Sequence, residues 1–212
     1  MLVRDVMQSK LVTVEPATTL PQAMRLAAER RIRHLPVIDG GELVGIVSDR
    51  DLKRAMASPA TSLSAHELNY LLDRLTVAEI MTRTVITIGP GFPVEEAARL
   101  MVQEKISGLP VMEGARLVGI VTETDLLELL VRALGAGTPS TRLDVLLADR
   151  PSGLAEVVTT IEGTGVPIAS IVTLTSRAGL REAVVRVSVL DAAPTVAALE
   201  SRGFAVRLPW RG

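Results

Sequence analysis

Two four-residue signatures carry the chemistry a reader meets first: Ser48-x-x-Asp51 and Thr122-x-x-Asp125, each directly behind an apolar run. A hydroxyl where a strand hands over to a helix stands among unpaired N–H groups at the positive end of the helix dipole, a setting that favours a phosphate. An acid three residues on lies on the same side, one turn into the helix, and its carboxylate can accept hydrogen bonds from the two hydroxyls of a ribose. The same pattern is also a capping box, in which hydroxyl and acid merely satisfy helix-end donors. Both copies carry Asp where Glu or Gln is the usual reciprocal capper, so the nucleotide reading stands beside the capping one.

Arg33-His34, next to Arg30 and Arg31 and just before Leu35-Pro36-Val37, has two readings of equal weight. These groups meet phosphates, with an imidazole that titrates near neutrality, or they form a solvated basic helix end. The matching positions of the second copy are Ser107-Gly108, so two clefts built on these signatures are unlike, the one with less bulk and charge holding its ligand more weakly or not at all. His66 has no carboxylate or hydroxyl placed for catalysis beside it and reads as a surface residue. With no cysteine and two histidines the chain offers no thiolate zinc site, no disulfide and no thiol nucleophile. No catalytic residue and no metal ligand is expected.

The elements that must position these groups come from an internal repeat. Residues 3–52 align with 77–126 without a gap at an offset of 74, with 19 identities in 50 positions. Each unit opens with a β-branched run, Val12-Thr13-Val14 or Ile86-Thr87-Ile88, ended by Pro16 or Pro90. A helix follows, its apolar residues at Leu20, Ala23, Met24 and Ala27 or at Val94, Ala97, Ala98 and Met101, the spacing of one buried face. Two strands joined by a hairpin come next, Leu35–Ile38 with Leu43–Val47 and Leu109–Met112 with Leu117–Val121. A last helix starts at Ser48 or Thr122. Between the copies, Leu68, Leu71, Leu72 and Leu75 at helical spacing predict an amphipathic bridging helix over 57–76.

The order strand-helix-strand-strand-helix, with Leu43-Val44-Gly45-Ile46-Val47-Ser48-Asp49-Arg50-Asp51 and Leu117-Val118-Gly119-Ile120-Val121-Thr122-Glu123-Thr124-Asp125, resembles the CBS domain family. The resemblance implies a tandem pair, 1–56 and 77–134, with two symmetry-related clefts for an adenosine-containing nucleotide such as AMP, ADP, ATP or S-adenosylmethionine. It places Ser48 and Thr122 on phosphate, Asp51 and Asp125 on ribose, and Thr13-Val14 and Thr87-Ile88 beside adenine. Pro36, Arg50 and Pro110 complete the candidate site residues, with Arg33 and His34 at the edge of the first cleft.

Gly135-Ala136-Gly137-Thr138-Pro139-Ser140-Thr141 cannot continue a helix and reads as a linker. Beyond it, strand, helix, two strands around Ser176-Arg177-Ala178-Gly179, a helix over 194–202 and a strand over 204–208 give a ferredoxin-like βαββαβ order. Asp149-Arg150-Pro151-Ser152-Gly153 and the residues around it resemble the ACT domain, whose loop usually reads Asp-x-Pro-Gly. An amino-acid site at Asp149, Ser152 and Gly153 and a purely dimerising or rigidifying role both remain open for 142–212. The whole α+β arrangement resembles the acetoin-utilisation CBS/ACT family, which implies a homodimeric regulator in acetoin or other carbon metabolism, acting on a protein partner. An enzyme of that metabolism and a structural adaptor without ligand are the rivals. Net charge of −1 without a basic run points away from nucleic acid. No apolar stretch of membrane-spanning length and no secretory leader are read, so a cytoplasmic protein is expected.

Overall fold

The computed structural model describes residues 1–56, 74–147, 151–175 and 179–209, and divides into Met1–Leu126 and Leu127–Gly212. Residues 57–73 of the expected bridging helix, His66 among them, together with Asp149 and Ser176–Ala178, lie outside the described residues, and 74–76 are not helical.

In the first unit each copy of the repeat folds the same way. The first copy has α1 (Leu20–Arg30), β1 (His34–Asp39), β2 (Glu42–Ser48) and α2 (Asp49–Ala55). After a short α3 (Val77–Ile80), the second has α4 (Val94–Glu104), β3 (Gly108–Glu113), β4 (Arg116–Thr122) and α5 (Glu123–Ala133). The helical spacing correctly locates the buried faces: Leu20, Ala23 and Ala27 sit in the first core with Leu35, Val37, Val47 and Leu52, and Ala97 and Met101 are buried in the second copy. Ser48 caps α2, which therefore begins at Asp49, one residue later than expected.

The opening strands shrink to one residue each. Val14 forms a single parallel bridge to Val37, and Ile88 one to Val111. Val14 donates to Pro36 O (3.1 Å) and accepts from Ile38 N (2.9 Å). The next rung on one side would need an N–H from Pro36, and on the other an N–H from Pro16; neither exists, so the ladder stops at both ends. Pro110 and Pro90 impose the same limit on the second copy, where Ile88 donates to Pro110 O and accepts from Met112 N.

The copies also exchange their leading segments. Gln8 pairs with Ile120 of the second copy, and its equivalent Thr82 pairs with Ile46 of the first. Val3 N donates to Phe92 O and Val77 N to Thr18 O, both at 2.8 Å, repeating the exchange. Val77 and Met81 thus complete the core of the first copy rather than of their own. This explains Gly45 and Gly119: a methyl group on either would lie 2.5 Å from Sδ of Met81 or of Met7, respectively, the methionine crossing over from the other copy.

In the second unit β5 (Thr141–Leu146), α6 (Gly153–Gly163), β6 (Ile168–Thr175), β7 (Arg181–Val187), α7 (Ala193–Ser201) and β8 (Ala205–Arg207) form the expected βαββαβ succession. The sheet runs β6-β7-β5-β8, antiparallel throughout. Leu143, Val145, Val185 and Val187 alternate inward against Val157, Ile161 and Leu199 of the two helices. Gly135, with φ of 65°, follows the end of α5, and β5 starts at Thr141, the last residue of the expected linker.

Candidate functional site

A cleft of about 590 Å³ opens between the two copies of the repeat. On one side it has Ser48, Asp49, Arg50 and Asp51 at the β2–α2 junction; on the other it has Thr82, Thr84, Val85 and Ile86 from the segment leading into the second copy. Arg33, His34, Lys105, Ile106, Ser107 and Gly108 line it as well. Five cations, Arg33, Arg50, Lys53, Arg54 and Lys105, face three acids, Asp49, Asp51 and Glu123. Lys53 is paired with Asp49 at 3.1 Å, and among the described residues Arg33, Arg50, Arg54 and Lys105 then outnumber Asp51 and Glu123 around the cleft.

The capping box is closed in both copies. Ser48 donates to Asp51 Oδ2 from its N–H (2.9 Å) and its hydroxyl (2.6 Å), and Ser48 Oγ accepts from Asp51 N at 3.3 Å. Thr122 makes the same set with Asp125, at 2.7, 2.6 and 3.4 Å. Each box engages only one carboxylate oxygen. Among the described residues nothing donates to the second oxygen of Asp51, whereas that of Asp125 accepts from Gln8 Nε2 at 2.8 Å.

The structure brings Ser48, Arg50, Asp51, Arg33 and His34 together on one cleft. It does not bring Thr13 and Val14 to them. Val14 is buried in the core, and Thr13 borders a separate hollow of about 830 Å³ with Glu15, Gln22 and Arg25. Thr87 is exposed and Ile88 is buried, one and two residues respectively past the last residue of the segment that faces Asp51. Pro36 and Pro110 are buried mid-strand, where their missing N–H sets the length of the bridge described above. The cause of this displacement is the exchange: the stretch opposite Ser48 and Asp51 comes from the other copy, at 82–86. Thr82, Thr84, Val85 and Lys105 also line the cleft, which the sequence does not signal because a repeat aligned with itself does not reveal which copy faces which. Ser152 is exposed with its hydroxyl bonded to Glu156, and Gly153 is the first residue of α6.

The unlike pairs Arg33-His34 and Ser107-Gly108 meet each other. His34 Nε2 is 2.8 Å from Ser107 Oγ, and the imidazole lies where a side chain on Gly108 would be, about 3.0 Å from the position of its first carbon. One residue of the pseudosymmetric pair is large because the other is glycine. Arg33 reaches across to Thr124 Oγ1 at 2.6 Å. Burial of the ring, then the Arg33 guanidinium, holds the His34 imidazole below its ordinary value of 6.5, against the opposing pull of Asp49, Glu123 and Asp51. The unfolded chain therefore takes up this proton first as the pH falls. Stability from His34 is complete above about 6.5 and declines below it until the folded ring titrates too. Melting temperatures measured across that window are expected to fall with pH, and the His34→Gln protein is expected to show a flatter dependence.

A duplicated βαββα-type unit whose copies exchange leading segments and face each other across a cleft defines a CBS domain pair, and the CBS domain family model matches residues 3–58 and 77–132. The chain belongs to that family. It is 39% identical over 135 residues to a CBS domain-containing protein of Dictyostelium discoideum, a match covering 63% of this chain and 93% of that one. It is also 34% identical over 127 residues to L-aspartate semialdehyde sulfurtransferase of Methanocaldococcus jannaschii, but that match is 59% of this chain and only 22% of the enzyme. Among solved structures, the CBS domain pair of protein MJ0100 in complex with 5′-methylthioadenosine and S-adenosyl-L-methionine superposes with a TM-score of 0.52 at 32% identity, over 61% of this chain and 95% of that one. CBSX2 in complex with AMP gives 0.51 at 31%, over 61% and 96%. A structure described as an acetoin utilization protein (AcuB) from Vibrio cholerae gives 0.54 at 31%, over 65% and 95%. Among the described residues no helix is long and apolar enough to cross a membrane, and no group of three or more His, Asp or Glu is placed to hold a metal ion.

Proposed function

We propose that this chain is a non-catalytic regulatory sensor that binds an adenosine-containing nucleotide in the Ser48–Asp51 cleft. One observation carries the reading: Asp51 spends one carboxylate oxygen on its helix cap and keeps the other without a donor among the described residues, at the wall of a cleft between repeats. That oxygen is the acceptor a ribose needs. The ligands named for the MJ0100 and CBSX2 structures, all adenosine compounds, support the same chemistry. The surplus of cations around Asp51 favours AMP, ADP or ATP over S-adenosylmethionine, whose sulfonium is itself a cation. Arg50 and Arg33 meet the phosphates, and Thr84-Val85-Ile86 takes the place beside adenine first expected of Thr13-Val14 and Thr87-Ile88.

Binding between the copies alters their mutual packing. Residues 142–212, as an ACT domain following the 135–141 linker, pass that change to a homodimeric partner chain or to a regulated protein, with acetoin or other carbon metabolism as the setting; the likeness to the AcuB structure supports it. Coupling of this kind is typically worth about 1–3 kcal/mol. The closed capping boxes favour one rival, an adaptor whose acids serve only their helices.

A thermal-shift series separates these readings. A ligand at about a hundred times its Kd stabilises the folded state by about 2.7 kcal/mol, which raises the melting temperature by several degrees. AMP, ADP or ATP is expected to do so, and S-adenosylmethionine less. If no adenosine compound moves the transition, the adaptor stands; if nucleotide is consumed, the protein is an enzyme.

A further inference from the structure

The two acids of the repeat are identical in type and unequal in circumstance. Asp125 is 8% exposed and has both oxygens engaged, Oδ2 by Thr122 and Oδ1 by Gln8 Nε2 at 2.8 Å. Asp51 has the same cap and, among the described residues, no donor on its other oxygen. One residue accounts for the difference. The equivalent of Gln8 is Thr82, and the two make the same backbone pairing, Gln8 with Ile120 at 2.8 and 3.0 Å and Thr82 with Ile46 at 2.9 and 3.0 Å. Only the side chain changes: an amide long enough to reach the carboxylate stands where the other copy has a hydroxyl that makes no bond to Asp51. The phosphate side differs in the same sense. Thr124 occupies the position equivalent to Arg50, and its hydroxyl is taken by Arg33 at 2.6 Å.

We propose that Gln8 is a built-in occupant of the second cleft, by which is meant the place at Thr122 and Asp125 that the repeat makes equivalent to Ser48 and Asp51, its side-chain amide holding on Asp125 the hydrogen-bonding place of a ribose hydroxyl, so that adenosine ligands enter there only by displacing it. This rests on the reading of the two acids as ribose acceptors. The first cleft is then the tight site, and the second answers only to higher ligand concentration. Gln8 is itself exposed, so its displaced amide passes into water and the occlusion is reversible. Losing one hydrogen bond to a charged acceptor weakens the second cleft by about tenfold to a hundredfold.

The test is calorimetric titration with AMP of the parent, of Asp51→Asn, and of Asp51→Asn combined with Gln8→Ala or with Gln8→Thr. Thr is the residue that the fold already accommodates at the equivalent position 82, and cooperative melting checks each chain. The parent is expected to bind one AMP tightly. Asp51→Asn is expected to leave only weak binding, and either change at Gln8 to tighten it by about tenfold or more. An unchanged or weakened affinity in both double variants overturns the occlusion while leaving the nucleotide reading intact, as does a parent with two equal sites. Absence of AMP binding in every chain overturns both.

Discussion

Asp51→Asn is expected to weaken AMP binding by about a hundredfold or more, while the fold survives. A ribose diol donates two hydrogen bonds to a carboxylate, and each bond to a charged acceptor is worth about 1.5–3 kcal/mol. The asparagine keeps a side-chain oxygen that can accept from Ser48 N, so the start of α2 retains its reciprocal cap and the melting temperature is expected to shift by only a few degrees. Asp125→Asn is expected to cost far less affinity, since that carboxylate already has a donor from Gln8 on the oxygen a ribose would use. Titration calorimetry of the two single variants at one salt concentration makes the comparison. No loss at Asp51 would remove the ribose role; equal losses at both acids would keep it and remove the inequality of the two sites.

Gly45→Ala is expected to destabilise the CBS pair by about 1–3 kcal/mol, the usual cost of forcing a methyl group into a filled core. The new carbon would sit 2.5 Å from Met81 Sδ and 3.1 Å from the carbonyl oxygen of Thr82. The methionine can turn aside; the backbone oxygen, held in the bridge to Ile46, cannot. Gly119→Ala meets Met7 and Gln8 in the same geometry and is expected to cost a similar amount. In the Gly45→Ala background, shortening the crossing methionine with Met81→Ala is expected to cost less than Met81→Ala does alone, because the two changes share one space. Denaturant unfolding of the four-member cycle reads that coupling directly. Strict additivity would mean that the exchanged segment does not press on β2 in solution.

These two experiments address opposite kinds of legibility. The Asp51 signature could be read because it is local: hydroxyl and acid lie one helical turn apart, and their spacing survives any arrangement of the rest of the chain. The glycines could be noticed as repeated, yet the reason for them could not. Met7 and Gly45 lie in one copy by number, but each touches the other copy's equivalent, and a repeat aligned with itself gives the same pattern whether its leading segment stays home or crosses over. The stretch that lines the cleft opposite Asp51 is therefore 82–86 and not the residues around Thr13. The opening strands were overextended for another: β-branched runs report preference, while Pro16, Pro36, Pro90 and Pro110 control the N–H groups that a ladder consumes.

What the linear chain decided unaided is whatever depends on neighbours a few residues apart: the duplication, the amphipathic helices, the hairpins, the two caps and the βαββαβ order of the second unit. What waited for tertiary structure is whatever depends on which surfaces meet. His34 fills the space that Gly108 leaves and bonds Ser107, so an asymmetry that looks like two unlike clefts is also a matched pair at one contact. Gln8 and Thr82 share a backbone role, and the reach of each side chain to an acid 117 or 31 residues away in the chain decides whether, among the described residues, that acid's second oxygen has a donor. Periodicity records how a segment is half-buried; it carries no term for the partner that buries it, because that partner's position is set by long-range packing.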